Sequence, residues 1–387
     1  MKVEQVADLA NSIVLEEVGE EATLLKEDLS NVVQHGTAAV DAMGVENYTR
    51  ELVDRIGKVT VSNRLYNAEL REAIVRDDWQ YGSVYEKISF EPNVAVDSEM
   101  WQLEDGQVYE ETKFTMPKAQ AKFYNGINAM RMDISRPTVQ ANSAFARAED
   151  FVKFISGLDT QFKNDLEFRI DTLSKRILNN MIAETMYDLD DSGSYTGKSG
   201  KRAINVLYLY NQKYSKSLTT STMWFDPDFI RFVAFVFECV VKDMETYKTL
   251  YNIGGKYRHT PRSKMKGVIL NQFKAAADIF LQSNTFHDNY TKLPNLTTIS
   301  QWQGSGEDVF DLDTRSNIKI TTSEGHDVET GSVVACLYDI DSVGIHMEHK
   351  ATTSHFVSSA RFYNYFSFWD ARFWCDNWEN FVVLYAA

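Results

Sequence analysis

The chain has 387 residues, of which 44% are apolar types, so it can bury a sizeable core and is not a disordered protein. Its formal net charge of −15 opposes the counterion release that drives binding to nucleic acid, which disfavours sequence-specific DNA binding. No stretch of about eighteen consecutive apolar residues occurs, so we expect neither a membrane-spanning helix nor a membrane partner.

Three cysteines, Cys239, Cys336 and Cys375, lie far apart and show no paired spacing. They are too few for a disulfide framework or a zinc site. The first twenty residues are polar and acidic, unlike a signal peptide. We therefore expect buried free thiols in a reducing cytoplasm.

Residues 1–48 are rich in acidic side chains and carry only short helical patches, such as Leu24, Leu25 and Leu29. This composition predicts an arm with little core of its own. If the arm is ordered, neighbouring surfaces must supply the burial that it lacks.

Residues 80–122 have a β-like pattern on both sides of Asp105-Gly106, with apolar side chains at alternating positions: Ile88, Phe90, Val108, Tyr109 and Phe114. Asp-Gly between two such runs is typical of a hairpin turn. Apolar and charged residues occupy both faces of the predicted hairpin. A ribbon with two mixed faces favours a position across another subunit over one inside its own core.

The most regular pattern follows, with apolar residues at steps of three and four: Phe151, Ile155, Leu158, Phe162, Leu166, Ile170, Leu173, Ile177 and Met181. This spacing predicts one amphipathic helix over about residues 149–187, far longer than the globular mean of about 11 to 12 residues. A coiled coil is the alternative. One isolated helix between β segments favours a helix laid along a sheet.

A mixed α/β region comes next, and its first helix begins with Asp226 as the N-cap and Pro227 at the first helical position. The pattern then predicts a strand at 268–270, a helix at 272–282 and the strand VVACLYDI. These elements indicate a compact lobe.

The aromatic tail RFYNYFSFWDARFWCDNWENFVVLYAA must be covered to avoid aggregation, so we expect FVVLY to be a buried strand that closes a sheet.

Two motifs overlap in the polar loop after the long helix. Gly193 to Ser199 resembles a phosphate-binding loop but is one residue short of G-x-x-x-x-G-K-[ST] and follows a helix where a strand is required. Asp188, Asp190 and Ser192 match the start of a calcium loop, but its twelfth position is Ser199 and not a bidentate Glu. An exposed loop is the favoured interpretation.

His346, His349 and His355, with Glu348 between the first two, could suggest a metal cluster. The region is β-like, and neighbouring strand positions point to opposite faces, so structural histidines are favoured. No Gly-x-Ser-x-Gly motif and no catalytic cysteine context occurs. We predict no catalytic residue, no cofactor and no metal ligand.

One basic stretch, KYRHTPRSKMKG, stands out in this acidic chain and carries Lys256, Arg258, Arg262, Lys264 and Lys266. It could contact phosphate or an acidic neighbour. The overall negative charge favours a contact with another subunit over a contact with DNA.

The elements in chain order resemble the major capsid proteins of tailed bacteriophages, whose fold herpesvirus shells and encapsulins share. Local strings agree with capsid subunits of short-tailed phages: LVDRIGKV, DDWQYGSVYEKISF, KFYNGINAMRMDIS and YNYFSFWDARFWCDNWENFVVLY. The resemblance spans nearly the whole chain, although no single string is as specific as a metal or nucleotide motif.

The resemblance implies an α+β capsid fold in six segments: N-terminal arm 1–48, start of the peripheral domain 49–79, extended loop (β-hairpin) 80–122, peripheral domain with spine helix 123–220, axial domain 221–345, and peripheral domain with the C-terminal strand 346–387. The terminal strand would return to the peripheral sheet. Some relatives cross-link subunits through Lys and Asn, but nothing in this chain marks the partner Asn, so we predict no cross-link.

The expected function is a structural one, in which subunits assemble into the icosahedral virion capsid around double-stranded DNA. Expected partners are copies of the chain in hexamers and pentamers, a separate scaffolding protein, the portal protein and, through non-specific proximity, packaged DNA, with assembly in the bacterial host cytoplasm. The expected inter-subunit contacts are Ile88, Phe90, Trp101, Tyr109, Phe114, Lys256, Arg258, Arg262 and Lys264. Alternatives are an encapsulin-like shell that houses cargo and, more remotely, a cytoplasmic nucleotide-binding enzyme.

Overall fold

The computed structural model describes residues 3–19, 23–26, 28–62, 68–77, 79, 82–93, 95, 97–109, 112, 114, 116–137, 148–188, 199–282, 296–303, 314–322 and 325–387. The chain divides into two units. The first unit comprises Met1–Gln80, Ile127–Lys175 and Ile345–Arg372, and the second comprises Tyr81–Gly126, Arg176–Gly344 and Phe373–Ala387.

The helices of the described residues are α1 (Val3–Val18), α2 (Val32–Ser62), α3 (Arg71–Ile74), α4 (Ala148–Tyr187), α5 (Val206–Tyr214), α6 (Pro227–Met244) and α7 (Asn271–Gln282). Helix α4 confirms the long helix predicted from the apolar spacing. None of the described helices is long and apolar enough to cross a membrane.

The strands are β1 (Tyr85–Phe90), β2 (Ala119–Tyr124), β3 (Gly126–Pro137), β4 (Ala203–Asn205), β5 (Met265–Leu270), β6 (Leu296–Ile299), β7 (Ile318–Thr321), β8 (Asp327–Thr330), β9 (Val333–Asp339), β10 (Val343–Val357), β11 (Phe362–Cys375) and β12 (Phe381–Tyr385). They form a three-stranded sheet in the order β10-β11-β3, a five-stranded sheet in the order β4-β12-β9-β5-β6, and the two pairs β1-β2 and β7-β8.

The first unit has a hydrophobic core built around α1 and the start of α2. Ile13 and Val14 of α1 are buried there together with Val32 of α2, and two side chains from distant strands, Ile134 and Tyr365, join them. The expectation of an arm with little core of its own is therefore wrong. The core forms because apolar residues of both helices meet each other and the sheet, which composition alone does not show.

The first unit also holds the early part of α4 against β11. Leu166 and Ile170 are buried with Trp369, as the helical spacing predicts. Beside them the buried Glu167 accepts a hydrogen bond from Arg71 at 3.0 Å, which gives the carboxylate a charged partner.

The second unit has its core between α6 and the five-stranded sheet. Helix α6 buries Phe229, Val233 and Phe237 on one face. Asp226 accepts backbone hydrogen bonds from Asp228 at 2.9 Å and Phe229 at 3.0 Å, which confirms the predicted N-cap.

Strand β12 is fully buried in the five-stranded sheet, between β4 and β9. It pairs in parallel with β4 and antiparallel with β9. The aromatic tail is thus covered, as expected, and the assignment of its last strand to a peripheral sheet stays a prediction. The short FVVLY segment is apolar at every position and fits any buried strand position, so its partner strands had to be found in three dimensions. The six-segment division as a whole stays a prediction.

The hairpin has shorter strands than its sequence suggests. Strands β1 and β2 pair antiparallel from Tyr85–Tyr124 to Phe90–Ala119, and Gly106 lies in a turn with a φ of 83°. Val108, Tyr109 and Phe114 lie outside strands. All three side chains are exposed, so the apolar pattern at these positions does not indicate paired strands.

The cysteines are free, but they differ in exposure. Cys336 is buried and Cys375 is half-buried, whereas Cys239 is exposed on α6. The expectation of three buried thiols is wrong for Cys239, which lies on the solvent side of an amphipathic helix.

Candidate functional site

The paired strands β1 and β2, here called the ribbon, have two different faces. Every second residue is at least half-buried, so Lys87 and Lys122, which face each other in the register, lie on the inner side. Tyr85 and Tyr124 continue this inner face, and the Tyr85 ring lies 5.2 Å from that of Trp374. The inner face therefore attaches the ribbon to the rest of the second unit.

The attachment centres on Asp376, whose side chain is only 2% exposed. Lys87 Nζ lies 2.7 Å from Asp376 Oδ2, and Lys122 Nζ lies 3.4 Å from Oδ1. Lys87 also donates to the carbonyl oxygen of Asp341 at 2.8 Å, and Lys122 donates to Asn377 Oδ1. One buried carboxylate thus holds one cation from each strand.

The electrostatics follow from this burial. Burial by itself would raise the pKa of the Asp376 carboxyl, but the charges of Lys87 and Lys122 hold that pKa below its ordinary value. Burial raises the pKa of Glu379 despite the nearby charges of Lys87 and Arg258. Asp376 is therefore the ionised centre of the attachment at neutral pH.

The outer face of the ribbon carries Glu86 and several apolar side chains, which are exposed in the described part of the subunit. Ile88 is 60% exposed, Phe90 67% and Phe123 63%, and the register places Ala121 and Ala119 opposite the first two. A two-stranded ribbon with one anchored face and one bare apolar face is suited to a contact with another surface.

The segment between the two strands, residues 91–118, is here called the extended loop. Its described part carries large apolar side chains that are mostly exposed: Met100, Trp101, Leu103, Val108, Tyr109, Phe114 and Met116. Trp101 is 88% exposed and Phe114 85%. The loop also has seven carboxylates and two lysines, so its apolar groups stand in a strongly acidic setting. Large exposed apolar side chains of this kind are typical of interaction surfaces.

The predicted contact residues of the hairpin are exposed, and their contact with another subunit stays a prediction. Ile88 and Phe90 lie on the outer face of the ribbon, and Trp101 and Phe114 lie on the extended loop. Tyr109 is less exposed, and its hydroxyl accepts a hydrogen bond from the Glu104 backbone N–H at 2.9 Å.

The predicted basic residues lie elsewhere and are engaged within the subunit. Lys256 reaches Glu91 at 3.5 Å, and Arg258 reaches Glu379 at 3.3 Å. Each of these two cations is about one-fifth exposed.

The other two basic residues are more open. Arg262 contacts Glu238 at 3.2 Å and Lys264 contacts Asp341 at 3.7 Å, with 45% and 59% of their side chains exposed. Their contact with another subunit stays a prediction.

Two of the motifs that suggested other chemistry fall on the loop after α4. The loop Gly193 to Thr196, Gly197 and Lys198, and the calcium positions Asp190 and Ser192, lie outside the described residues. His346 Nδ1 is hydrogen-bonded to the Arg76 carbonyl oxygen at 3.0 Å. Over the described ranges, no three His, Cys, Asp or Glu side chains are grouped so that they could hold a metal ion.

Sequence reasoning missed the anchor, since Lys87, Lys122 and Asp376 were not predicted as a group. One signal was present: Lys87 and Lys122 interrupt the inner faces of two β-like runs, where an apolar residue would be expected. A charged residue at an inner strand position requires a buried partner. Only the fold shows that this partner is Asp376.

A family model described as Phi29-like phage major capsid protein matches residues 12–385. No curated protein sequence matches the chain.

Three similar solved structures come from phages. A chain of the Staphylococcus phage Andhra capsid structure is 9% identical over 83% of this chain and 84% of that chain, with a TM-score of 0.48. A chain of the structure of the head fiber and inner core protein gp22 of bacteriophage P68 is 10% identical over 81% and 83%, with a TM-score of 0.49. A chain of the cyanophage P-SCSP1u capsid structure is 10% identical over 79% and 84%, with a TM-score of 0.43. Because all three TM-scores lie below 0.5, the family assignment of this chain rests on the match to the family model.

Proposed function

The chain belongs to the Phi29-like phage major capsid protein family, and from this membership we propose that the ribbon and the extended loop form the contact by which each subunit overlaps its neighbour in the head. The protein is a structural component of the phage virion, and its α+β capsid fold and capsid function agree with the predictions from sequence. The family match gives the encapsulin-like alternative no support.

The observation that carries the proposal is the exposure of the extended loop. Trp101 and Phe114 leave more than four-fifths of their side chains in solvent in the single subunit. Apolar surface contributes about 25 cal/mol for each Å² that is removed from water, so covering these aromatics by a neighbour would stabilise a shell strongly. The same contact repeated by symmetry in every subunit leads to a closed particle.

The anchor supports the same function. A loop that is held in one orientation before it binds loses less conformational entropy on binding, which strengthens its contact with a neighbour. Asp376 fixes the ribbon by holding a lysine of each strand, and the buried Tyr85–Trp374 contact adds to it.

The finer features of assembly also belong to this proposal. Subunits would form the hexamers and pentamers of an icosahedral shell around double-stranded DNA, with a scaffolding protein and a portal protein as partners and the bacterial host cytoplasm as the place of assembly. Family membership supports them. The net charge of −15 supports a container wall that does not bind its DNA tightly.

The test uses the full chain expressed under conditions that give particles. Trp101→Ser combined with Phe114→Ser should leave the subunit folded, because both side chains are exposed, and should strongly reduce the yield of particles in sedimentation and electron microscopy. Normal particle yield from this variant would overturn the proposal.

A matched pair of substitutions provides the control. Ile88 on the ribbon and Ile279 on α7 are similarly exposed, at 60% and 65%. We expect Ile88→Ser to lower the particle yield more than Ile279→Ser. Equal yields would indicate that exposed apolar residues act without regard to their place on the subunit.

A further inference from the structure

A second exposed aromatic surface lies in the second unit, between helices α5 and α6. This surface, here called the α5–α6 groove, is lined among others by Lys213, Tyr214, Lys216, Arg231, Phe232 and Phe235. Phe235 is 61% exposed and Tyr214 50%, so two large rings of the groove face solvent in the single subunit.

The groove has an aromatic floor and a cationic rim. Lys213 Nζ lies 5.5 Å from the centre of the Tyr214 ring and 5.9 Å from that of Phe232. Arg231 forms an ion pair with Asp228 at 3.0 Å. Within the described part of the chain, neither Lys213 nor Lys216 has a carboxylate partner in an ion pair.

The charges of the groove are opposite to those of the extended loop. A partner that satisfies the groove needs carboxylates for its lysines and apolar or aromatic side chains for its exposed rings. The extended loop offers both, because its seven carboxylates stand among exposed groups such as Trp101 and Leu103. Asp97, Glu104 and Asp105 lie close to these groups in sequence.

We propose that the α5–α6 groove of one subunit receives the extended loop of a second copy, centred on residues 97–109. This inference rests on the proposed function and names the surface that the loop contacts. Both surfaces are bare in the single subunit, with Trp101 88% exposed and Phe235 61% exposed. Complementary charge sets the register of such a contact, while the aromatic rings supply the buried apolar area.

The main experiment is a charge exchange in the full chain. Lys213→Glu with Lys216→Glu should lower particle yield about tenfold, which corresponds to about 1.4 kcal/mol of lost contact free energy. Glu104→Lys with Asp105→Lys should do the same. The variant with all four substitutions should recover most of the wild-type yield, because the opposite charges meet again.

Lys201→Glu with Lys274→Glu provides the control. These lysines are also exposed and the change in charge is the same, but they lie outside the groove. This pair should neither lower the yield by itself nor restore the yield of the loop variant. Equal rescue by the control pair would show an effect of net charge and would overturn the inference.

The other outcomes separate this inference from the proposed function. If the Trp101→Ser and Phe114→Ser variant fails to assemble but the four-substitution variant shows no recovery, the loop is a contact and the groove is not its partner. If loop variants of either kind assemble normally, the proposed function itself fails. If only the groove variant fails, the groove has a different occupant and the inference is overturned.

A second measurement does not depend on rescue. A photo-crosslinking amino acid at position 235, irradiated in assembled particles, should join to a peptide from residues 91–118 of another copy, as identified by mass spectrometry. Crosslinks to any other segment, or to a different protein, would overturn the inference.

Discussion

Replacement of Lys87 by methionine tests the anchor of the ribbon. Lys87 Nζ lies 2.7 Å from Asp376, and the two side chains are 17% and 2% exposed. Removing one partner of a buried ion pair costs about 3–5 kcal/mol. Because Lys122 remains 3.4 Å from the other carboxylate oxygen, we expect the lower end, about 3 kcal/mol. This corresponds to a roughly 100-fold increase in the opening equilibrium of the ribbon.

Hydrogen exchange in the unassembled subunit measures this opening directly. Backbone amides of β1 and β2 should exchange roughly 100-fold faster in Lys87→Met, while those of the five-stranded sheet should change much less. Lys319→Met is the matched control, since Lys319 lies at the same 2.7 Å from Glu329 but the pair is 76% and 72% exposed. Solvent screens the Lys319–Glu329 ion pair, so the backbone amides of β7 and β8 should exchange as in the wild type. Wild-type exchange of β1 and β2 in Lys87→Met would refute the reasoning.

Three further predictions concern stability. The folded pKa of Asp376 lies below its ordinary value, so the stabilisation that the ionised carboxylate gives is complete above about pH 4 and is lost as pH falls through the folded pKa. The urea midpoint of the wild type should therefore drop more steeply below pH 4 than that of Asp376→Asn. Parallel curves for the two proteins would contradict this prediction. Asp226→Ala should lower the free energy of unfolding by about 1 kcal/mol in urea titrations, whereas Asp226→Asn should keep most of it because asparagine also caps helices; equal losses would argue against the cap. A Cβ on Gly344 would overlap the Trp374 ring, so Gly344→Ala should lower the free energy of unfolding by about 1–3 kcal/mol in thermal unfolding. Gly331→Ala should cost less, because its Cβ would meet only the Asn317 side chain, at 3.2 Å.

The local elements were predictable because their signals lie close together in sequence. Asp226 and Pro227 mark the start of α6, and the apolar steps that include Leu166 and Ile170 mark α4. Each signal spans only a few turns of helix. Trp101 and Phe114 were predicted as contact residues of a two-faced hairpin; both are exposed, and their contact with another subunit stays a prediction.

The long-range contacts were not predictable from such signals. Lys87 and Asp376 are separated by 289 residues, and nothing near either of them identifies the other. The core of the N-terminal helices depends in the same way on Ile134 and Tyr365. Strand β12 was predicted as a buried strand, but its neighbours β4 and β9 could not be inferred, because its composition fits any buried position.

The place of β12 in its sheet has a consequence for how the subunit is synthesised. Val383 of β12 pairs with Ala203 of β4, about 180 residues earlier in the chain. At about 5–20 residues per second, a ribosome needs roughly 10–40 s to produce the partner that β4 requires. During that interval β4 lacks the strand with which it pairs, and unpaired strand edges are prone to aggregation. A chain whose synthesis terminates before residue 381 lacks β12, so β4 and β9 have no strand between them and the five-stranded sheet stays incomplete.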